Sequence, residues 1–259
     1  MQLEEPTKVL AKIFHKSNLK TIYPGVLTVS AYANFYPVCY LNKRGKIQGL
    51  DVEIMKEFAK LCKLKIVFKI KPQFKDIWFD PVRGESDVAI GGIGIRESRS
   101  RKDTEWTIPY FYVKRTCIFN KLDPIYSFPK NANKTILSTK GSTGWVDGQE
   151  RLLKSGKISL LKQGTTDEDD INKLLNGNVQ GLLRGSFVGE AIVKKYPNQL
   201  GMTKPWAMDP NLVVKDGEVF AYPCNVHSRI GVLLSVLLTE EIMSKNLLHL
   251  IKKYNLQSD

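Results

Sequence analysis

The stretch AIGGIGIRESRSR, residues 89–101, combines the residue types that hold a small anion. Glycine lets a backbone approach a ligand closely, because it has no Cβ and adopts conformations that other residues avoid. Arginine pairs its planar guanidinium with carboxylates and phosphates, and both kinds of anion are candidates here. The dinucleotide motif GxGxxG is not completed. Six residues of the two types lie in the stretch: Gly91, Gly92, Gly94, Arg96, Arg99 and Arg101.

The preceding segments predict a parallel sheet that positions this stretch. Residues 26–32 are rich in β-branched side chains and predict a strand, and residues 65–70 predict another. Between them, residues 50–63 repeat apolar side chains at helical spacing, with Asp51 placed to cap the helix. Residues 86–92 predict a buried strand that ends in the glycines. We therefore expect the glycines at the carboxyl edge of a sheet, where open α/β sheets bind ligands.

The alternation of strand and helix returns after residue 130, which predicts a second α/β unit. Residues 107–124 and 209–223 are aromatic and β-branched, and we expect them to cross between the units as a two-stranded hinge. Residues 229–254 predict two helices that pack on the first unit. The predicted domains are a discontinuous lobe 1 at 21–117 and 209–259, lobe 2 at 122–204, and an N-terminal extension at 1–20.

Composition narrows the classes of function. The 259 residues carry a formal net charge of +13, but the basic residues are dispersed, which favours a solvated basic surface over a nucleic-acid-binding one. The acidic run at 165–170 is typical of a helix start rather than of a metal cluster. Four cysteines without CxxC spacing indicate neither a zinc site nor a redox pair, and we expect two buried thiols and one optional disulfide. We predict no metal and no cofactor.

Five motifs, in order, resemble those of the type II periplasmic solute-binding proteins of ABC importers, amino-acid-binding family 3. They are GKIQGLDVEIMKEFAK, GESDVAIGGIGIRESRSR, WTIPYFY, STKGSTG and NGNVQGLLRGS, and the resemblance covers residues 21–255. Each motif alone is weak, whereas their order and spacing are specific. The resemblance implies an α/β, two-lobe periplasmic binding protein type II fold. Each lobe would be a mainly parallel sheet flanked by helices, with a two-crossing hinge and the ligand in the interlobe cleft.

In lobe 1 the resemblance places Arg99 at the family's ligand-carboxylate arginine. Arginine suits this role, since a guanidinium can bind both carboxylate oxygens at once. The glycines would offer backbone contacts to the ligand. Phe35 and Phe74 would form apolar walls, and Tyr32 would help to set specificity. The implied ligand-binding positions of this lobe are Tyr32, Phe35, Phe74, Gly91, Gly92, Gly94 and Arg99.

In lobe 2 the resemblance implies that Ser142 and Thr143 begin a helix whose NH and hydroxyl groups suit the same carboxylate. Arg184 ends a strand, either as a ligand contact or as a salt-bridge partner. Gly185 stands where amino-acid binders usually have an aspartate that pairs with the ligand's ammonium. A standard α-amino acid would therefore need another acid, such as Glu190 or Asp147.

The resemblance implies the solute-binding component of an ABC import system, which binds an amino acid or related small carboxylate and delivers it to a permease in the inner membrane. We expect a periplasmic monomer, with its secretory signal removed ahead of Met1, no nucleic-acid partner and no enzymatic activity. The alternative is a cyclohexadienyl (prephenate/arogenate) dehydratase-like enzyme on the same fold. That enzyme would need a positioned acid, for which Glu190 is the candidate.

Overall fold

The computed structural model describes Phe14 and residues 19–126, 133–205, 218–239, 249–250 and 252–254. Over these residues the chain divides into two compact units. The first unit contains the described residues up to Tyr110 and those from Phe220 onward. The second unit contains the described residues from Phe111 to Val219.

Strands and helices alternate through both units. In chain order the described strands are β1 (Val26–Ala31), β2 (Asn34–Phe35), β3 (Cys39–Leu41), β4 (Ile47–Gln48), β5 (Lys65–Ile70), β6 (Val88–Ile90), β7 (Thr104–Trp106), β8 (Phe111–Val113), β9 (Arg115–Asn120), β10 (Thr135–Ser138), β11 (Leu160–Gln163), β12 (Gly181–Gly185), β13 (Leu200–Met202), β14 (Glu218–Phe220) and β15 (Pro223–Asn225). The described α-helices are α1 (Leu50–Leu61), α2 (Thr143–Asp147), α3 (Asp167–Leu175), α4 (Ser186–Lys195) and α5 (Ile230–Thr239).

The sheet of the first unit has the strand order β5-β1-β6-β15-β7. Strand β1 lies between β5 and β6 and runs parallel to both, as expected for strands joined by helical crossovers. Strand β15 adds antiparallel pairs with β6 and β7. The predicted parallel core is therefore confirmed, and it carries two antiparallel strands at one edge.

The sheet of the second unit has the order β11-β10-β12-β9-β13. Strand β10 runs parallel to β11 and β12, whereas β9 is antiparallel to β12 and β13. A π-helical turn, Gly148–Leu153, continues α2. Strands β8 and β14 pair as a separate two-stranded sheet, close to the two points at which the chain passes between the units.

The boundaries of the first unit differ from the predicted ones. Lobe 1 was predicted to end at 117, but Cys117 lies in β9 and pairs with Leu183 in the sheet of the second unit. The return was predicted at 209, yet Glu218 still bonds the side chain of Thr143 in the second unit. The chain therefore passes from the first unit to the second between residues 110 and 111, and it returns between residues 219 and 220. Most of the predicted extension at 1–20 lies outside the described residues.

Helix α1 confirms the prediction from apolar spacing, since Leu50, Ile54 and Phe58 are all fully buried. The predicted capping role of Asp51 is wrong. Gly49 occupies the N-cap position, and no side chain caps this helix. The Asp51 carboxylate lies inside the unit and accepts hydrogen bonds from elsewhere.

Helix α5 supplies the first of the two predicted C-terminal helices. It buries Ile230, Leu234 and Leu237 in the first unit. Most of the second predicted helix lies outside the described residues. Among the helices that the structure describes, none combines the length and apolar character needed to cross a membrane.

All four cysteines are free thiols, so the optional disulfide is absent. Three of them, rather than two, are buried: Cys39, Cys117 and Cys224. Burial raises the pKa of the Cys117 thiol to about 12. We conclude that these side chains act as small apolar groups in the two cores.

Gly49 provides a stability test of the start of α1. Its φ of 126° is a region that only glycine adopts readily, and a Cβ would lie 2.3 Å from the carbonyl oxygen of Val38. We expect Gly49→Ala to lower the free energy of unfolding by about 3 kcal/mol or more, from backbone strain plus the clash. Urea denaturation measures this change.

Gly45→Ala is the matched control. Gly45 also has positive φ, at 70°, but nothing lies within 4 Å of the added Cβ. We expect a loss of only about 1 kcal/mol from the left-handed conformation. Equal losses in the two variants would contradict the close approach at Gly49.

Candidate functional site

The carboxylate of Asp51 holds the glycine loop, residues 91–94, at the carboxyl end of β6. Its Oδ2 accepts hydrogen bonds from the backbone NH groups of Gly91 and Gly92, at 2.9 and 3.0 Å. Its Oδ1 accepts from the hydroxyls of Tyr110 and Tyr222, at 2.6 and 3.1 Å. A buried carboxylate is costly unless donors surround it, so these four donors hold both the carboxylate and the loop in place.

The backbone of the loop requires glycine at two positions. Gly91 and Gly92 have φ angles of 128° and 66°. A Cβ on Gly92 would lie 2.4 Å from the ring of Phe35, and one on Gly91 would lie 3.0 Å from Cβ of Tyr32. The loop therefore approaches the ring of Phe35 and the Cβ of Tyr32 as closely as a backbone without side chains permits.

Arg99 is buried a few residues after the loop, in the short 3-10 turn Glu97–Arg99. Its Nη1 donates to the carbonyl oxygen of Gly94 at 2.9 Å. The guanidinium carbon lies 4.5 Å from the ring centroid of Trp78 and 5.5 Å from that of Phe74. Stacking on aromatic faces fixes the plane of a guanidinium, and the cation–π attraction offsets part of the free-energy cost of burying its charge. The arrangement can present a planar, charged donor to a carboxylate or another flat anion.

The other two arginines of the stretch differ from Arg99. Arg101 is exposed, with its guanidinium 4.0 Å from the ring centroid of Phe79. Arg96 is half-buried. Burial thus distinguishes Arg99 within the stretch.

The predicted aromatic walls belong to one cluster in the first unit. Tyr32 and Phe74 meet edge to face at 5.3 Å, and Phe74 meets Trp78 at 5.7 Å. Phe35 is half-buried and contacts the ring of Phe220 at 6.1 Å. The cluster is both part of the core and the surface on which Arg99 lies.

Burial raises the pKa of the Asp51 carboxyl above its ordinary value, although its four hydrogen bonds act in the opposite direction. Burial and the neighbouring Asp51 charge also raise the pKa of the Tyr110 and Tyr222 hydroxyls well above normal. The two phenols therefore stay protonated at neutral pH and remain hydrogen-bond donors to Asp51.

In the second unit, Ser142 and Thr143 begin α2 as predicted. The Ser142 side chain caps the helix by accepting from the NH of Trp145 at 3.0 Å. The Thr143 hydroxyl accepts from Nη2 of Arg115 at 2.7 Å and donates to Oε2 of Glu218 at 2.5 Å. We call Arg115, Thr143 and Glu218 the Thr143 cluster, and all three are buried. A hydroxyl has a single hydrogen to donate, and in this arrangement Thr143 directs it to Glu218.

Arg184 is a salt-bridge partner within the second unit. Its Nη2 contacts Oδ2 of Asp170 at 2.7 Å, and its Nε contacts Oδ1 of Asp167 at 3.2 Å. A third donor, Nη1, reaches the carbonyl oxygen of Leu183 at 3.0 Å. Of the two alternatives left open by the sequence, these contacts favour the salt bridge over a ligand contact.

Gly185 ends β12 and faces Arg115 across the pair with β9. A Cβ at Gly185 would lie 2.8 Å from Cγ2 of Val113. The space for a side chain is therefore already occupied, and an aspartate at this position would require Val113 to move.

The acidic run at 165–170 is a helix start, as the sequence indicates. Thr166 caps α3 by accepting from the NH of Asp169 at 3.2 Å, and Asp170 pairs with Arg184. Within the described part of the chain there is no cluster of three or more His, Cys, Asp or Glu side chains that could hold a metal ion.

The first unit brings its seven predicted site residues together around the glycine loop. In the second unit, Thr143 bonds Arg115 and Glu218, which the sequence did not connect with it. Sequence reasoning missed four residues that organise these places: Asp51 in its observed role, Trp78, Arg115 and Glu218. Trp78 could have been found as an aromatic residue four positions after Phe74. The other three depend on contacts between distant segments and carry no local signal.

Comparisons with known proteins point to one family. A family model described as bacterial extracellular solute-binding proteins, family 3, matches residues 27–255. A probable histidine-binding protein of Neisseria gonorrhoeae is 31% identical over 177 residues, which cover 68% of this chain and 56% of that protein. The amino-acid-binding protein AabA of Dichelobacter nodosus is 26% identical over 111 residues, 43% of this chain and 44% of that one. The chain thus spans about half the length of these two curated relatives.

Solved structures show the same fold at low sequence identity. A mutant of ArgBP from T. maritima superposes with a TM-score of 0.73 at 22% identity, covering 90% of this chain and 96% of that one. An ancestral arginine-binding protein bound to arginine gives 0.75 at 23%, covering 89% and 98%. The ancestral amino acid-binding protein AncCDT-1, a precursor of cyclohexadienyl dehydratase, gives 0.74 at 18%, covering 95% and 99%. These matches confirm the predicted type II periplasmic binding protein fold.

Replacing Asp51 tests the hydrogen bonds beneath the glycine loop. In Asp51→Asn, the amide NH₂ faces donors whose hydrogen bonds the carboxylate oxygen accepted. We expect the free energy of unfolding to fall by about 2 kcal/mol or more at pH 7. Because the folded-state pKa is raised, the native protein binds a proton more readily than the unfolded chain above about pH 4. The wild type's stability advantage should therefore shrink as pH rises from 4 through that raised pKa. Denaturant unfolding at several pH values measures both effects.

Asp76→Asn is the control for this prediction, since Asp76 is 43% exposed and only loosely paired with Lys75 at 3.9 Å. We expect a change within about 0.5 kcal/mol. An Asp51→Asn protein as stable as the wild type throughout the pH series would contradict the described network.

Replacing Arg184 decides between its two alternatives. Arg184→Met leaves the carboxylate of Asp170 buried without its arginine, and we expect a loss of about 3–5 kcal/mol in the free energy of unfolding. The control Lys154→Met removes a cation from an exposed pair with Glu150 and should cost less than about 1 kcal/mol. Wild-type stability of Arg184→Met would contradict a stabilising role for these ion pairs.

Proposed function

The chain belongs to the bacterial extracellular solute-binding proteins of family 3, and from this membership we propose that it binds an amino acid or a related small carboxylate. Two curated relatives are named as histidine-binding and amino-acid-binding proteins. These names support an amino-acid ligand and leave its side chain open.

The observation that carries the proposal is the placement of Arg99. Its guanidinium is buried, oriented by Trp78 and Phe74, and bonded to the carbonyl of Gly94 at the end of the glycine loop. Charge-assisted hydrogen bonds to a carboxylate contribute about 1.5–3 kcal/mol each, and a guanidinium can make two in parallel. We propose that Arg99 binds the ligand's carboxylate in this way.

We propose different contacts for the other residues predicted from the sequence. The backbone of Gly91, Gly92 and Gly94 would line the ligand. Ser142 and Thr143 of the second unit remain proposed contacts to the carboxylate. The first unit's aromatic side chains would contact the apolar part of the ligand: Tyr32, Phe35 and Phe74. We propose that Arg184 is structural, because it is paired with Asp170 and Asp167. Gly185 has no room for a side chain, so it would contact the ligand through its backbone alone.

The relatives are binding proteins rather than enzymes, and this supports a role in transport. We propose that the protein acts in the periplasm as a monomer, after removal of a secretory signal, and delivers its ligand to an ABC permease of the inner membrane. Mechanistically, the ligand would shift the protein toward the state to which it binds more tightly.

Removing Arg99 tests the proposal. We expect the wild type to bind at least one of L-histidine, L-arginine and L-glutamine in isothermal titration calorimetry. Loss of a two-pronged charged contact should weaken that binding at least about 100-fold in Arg99→Gln. Arg99→Lys should also bind weakly, because an ammonium cannot reproduce the planar fork.

Arg101→Gln is the matched control. It removes the same charge from the same segment, and Arg101 also lies over an aromatic ring, that of Phe79, but on the exposed surface. We expect binding within about threefold of the wild type, since exposed substitutions act weakly. Equal losses in the two glutamine variants, each folded by circular dichroism, would argue against a specific carboxylate contact at Arg99.

A further inference from the structure

A hairpin of the first unit gathers three cations within four positions. Strands β2, β3 and β4 form a small antiparallel sheet in that order. The turn between β3 and β4 occupies residues 42–46. We call residues 36–48 the basic hairpin, and the cations of its turn are Lys43, Arg44 and Lys46.

Hydrogen bonds within the turn fix its backbone. The Asn42 side chain accepts from the backbone NH groups of Arg44 and Lys46, at 2.9 and 3.0 Å. The backbone NH of Asn42 donates to the carbonyl oxygen of Lys46 at 2.9 Å. An asparagine that bonds the backbone two residues ahead is typical of a tight turn. The turn therefore holds its three exposed cations together at one end of the small sheet.

No acid of the surrounding segment offsets this charge. The chain has no aspartate or glutamate between Glu5 and Asp51. Over the part of the chain that the structure describes, Lys43, Arg44 and Lys46 form no ion pair. The turn thus adds a local concentration of positive charge to a chain whose formal net charge is +13.

Two apolar side chains are exposed beside these cations. Leu41 directly precedes the turn, and the ring of Tyr36 packs against that of Tyr40, with the ring centroids 4.9 Å apart. Leu41 and Tyr36 are each 44% exposed. A single exposed apolar side chain is ordinary on a protein surface. Exposed leucine and aromatic side chains next to several cations are instead typical of segments that bind at a membrane interface.

We propose that the basic hairpin binds the surface of a bilayer that contains anionic phospholipids. Lys43, Arg44 and Lys46 contact the phosphate groups, and Leu41 and Tyr36 enter the boundary between headgroups and acyl chains. A basic side chain near an anionic bilayer strengthens binding about fivefold, so three of them together contribute about 100-fold. The net charge of +13 attracts the protein to the same surface over longer distances. Binding of this kind concentrates the protein at a membrane whether or not a solute is bound.

The size of the patch favours a bilayer over a protein partner. A stable protein interface buries about 800 Å² on each partner and involves roughly 20–30 residues a side. Three cations and two apolar side chains on one hairpin are too few for such an interface. Lipid headgroups rearrange around a small charged surface, so a bilayer needs no complementary shape formed in advance.

Co-sedimentation with phospholipid vesicles tests the proposal. The wild type should bind vesicles of equimolar phosphatidylglycerol and phosphatidylcholine, and it should not bind vesicles of phosphatidylcholine alone. Lys43→Gln/Arg44→Gln/Lys46→Gln should bind the anionic vesicles about 100-fold more weakly. Raising the salt concentration from about 0.05 M to about 0.5 M should weaken wild-type binding, because salt screens exposed charges. A wild type that stays in the supernatant with anionic vesicles at the lower salt concentration overturns the proposal.

Lys60→Gln/Lys63→Gln/Lys65→Gln is the matched control. Its three lysines are exposed on the same unit, so the variant lowers the net charge by the same amount as the hairpin variant. We expect it to bind anionic vesicles within about threefold of the wild type, because it changes only the long-range attraction. Equal losses in the two triple variants would show that net charge alone causes the binding, and this would overturn the proposal.

Leu41→Ser tests whether the hairpin enters the bilayer boundary. Loss of an exposed apolar side chain should weaken binding to anionic vesicles about 3- to 10-fold at constant charge. Unchanged binding would overturn the placement of Leu41 among the lipids. Poly-L-glutamate provides the other comparison, since it represents an acidic protein segment without lipid. A wild type that binds poly-L-glutamate through the three cations, but does not bind anionic vesicles, would overturn the proposal in favour of an acidic protein partner.

The outcome is independent of the proposed function. None of the substituted positions is a proposed ligand contact, and all of them are exposed, so each variant should fold and should bind its amino acid as the wild type does. Circular dichroism and calorimetric titration check these two points. Loss of vesicle binding with unchanged amino-acid binding supports the hairpin as a separate surface, whereas loss of both together overturns it.

Discussion

The buried carboxylate of Asp51 is the constraint on which the first unit's site depends. It joins the start of α1 to the glycine loop and to two tyrosines near the points where the chain leaves and re-enters the unit. A buried carboxylate needs hydrogen-bond donors on both oxygens. Each of these segments is therefore held in the position from which its donor reaches Asp51. The loop then presents the carbonyl of Gly94 to Arg99. Asp51 thus holds the loop whose Gly94 carbonyl accepts from Arg99, while the rings of Trp78 and Phe74 orient the guanidinium.

Local patterns were sufficient for much of this architecture. The apolar spacing of α1, the buried strand that ends in glycines and the repeated strand–helix alternation predicted two α/β units with the parallel cores observed. The choice of Arg99 over Arg96 and Arg101 came from motif order and not from periodicity. Burial now gives that choice a physical basis, because only Arg99 of the three is buried.

The contacts that the sequence did not predict join residues far apart in the chain. An aspartate in the first turn of a helix is typical of capping, and nothing local reveals that Tyr222, 171 positions later, donates to it. Glu218 lies 75 positions after Thr143. The shift of the first crossing from 117 to 110 has the same origin, since antiparallel pairing of β9 with β12 places Cys117 in the second sheet.

The two units bury their acids in different ways. Asp51 is surrounded by neutral donors. Among the described residues of the first unit, the buried cation is Arg99, and it contacts the carbonyl of Gly94 and the rings of Trp78 and Phe74. In the second unit, Asp170 and Glu218 lie beside Arg184 and Arg115. An arginine behind the glycine loop would compete with Arg99 for a carboxylate, whereas phenols and amides do not. Burial of Asp51 by neutral donors is therefore compatible with the proposed binding of a carboxylate at Arg99.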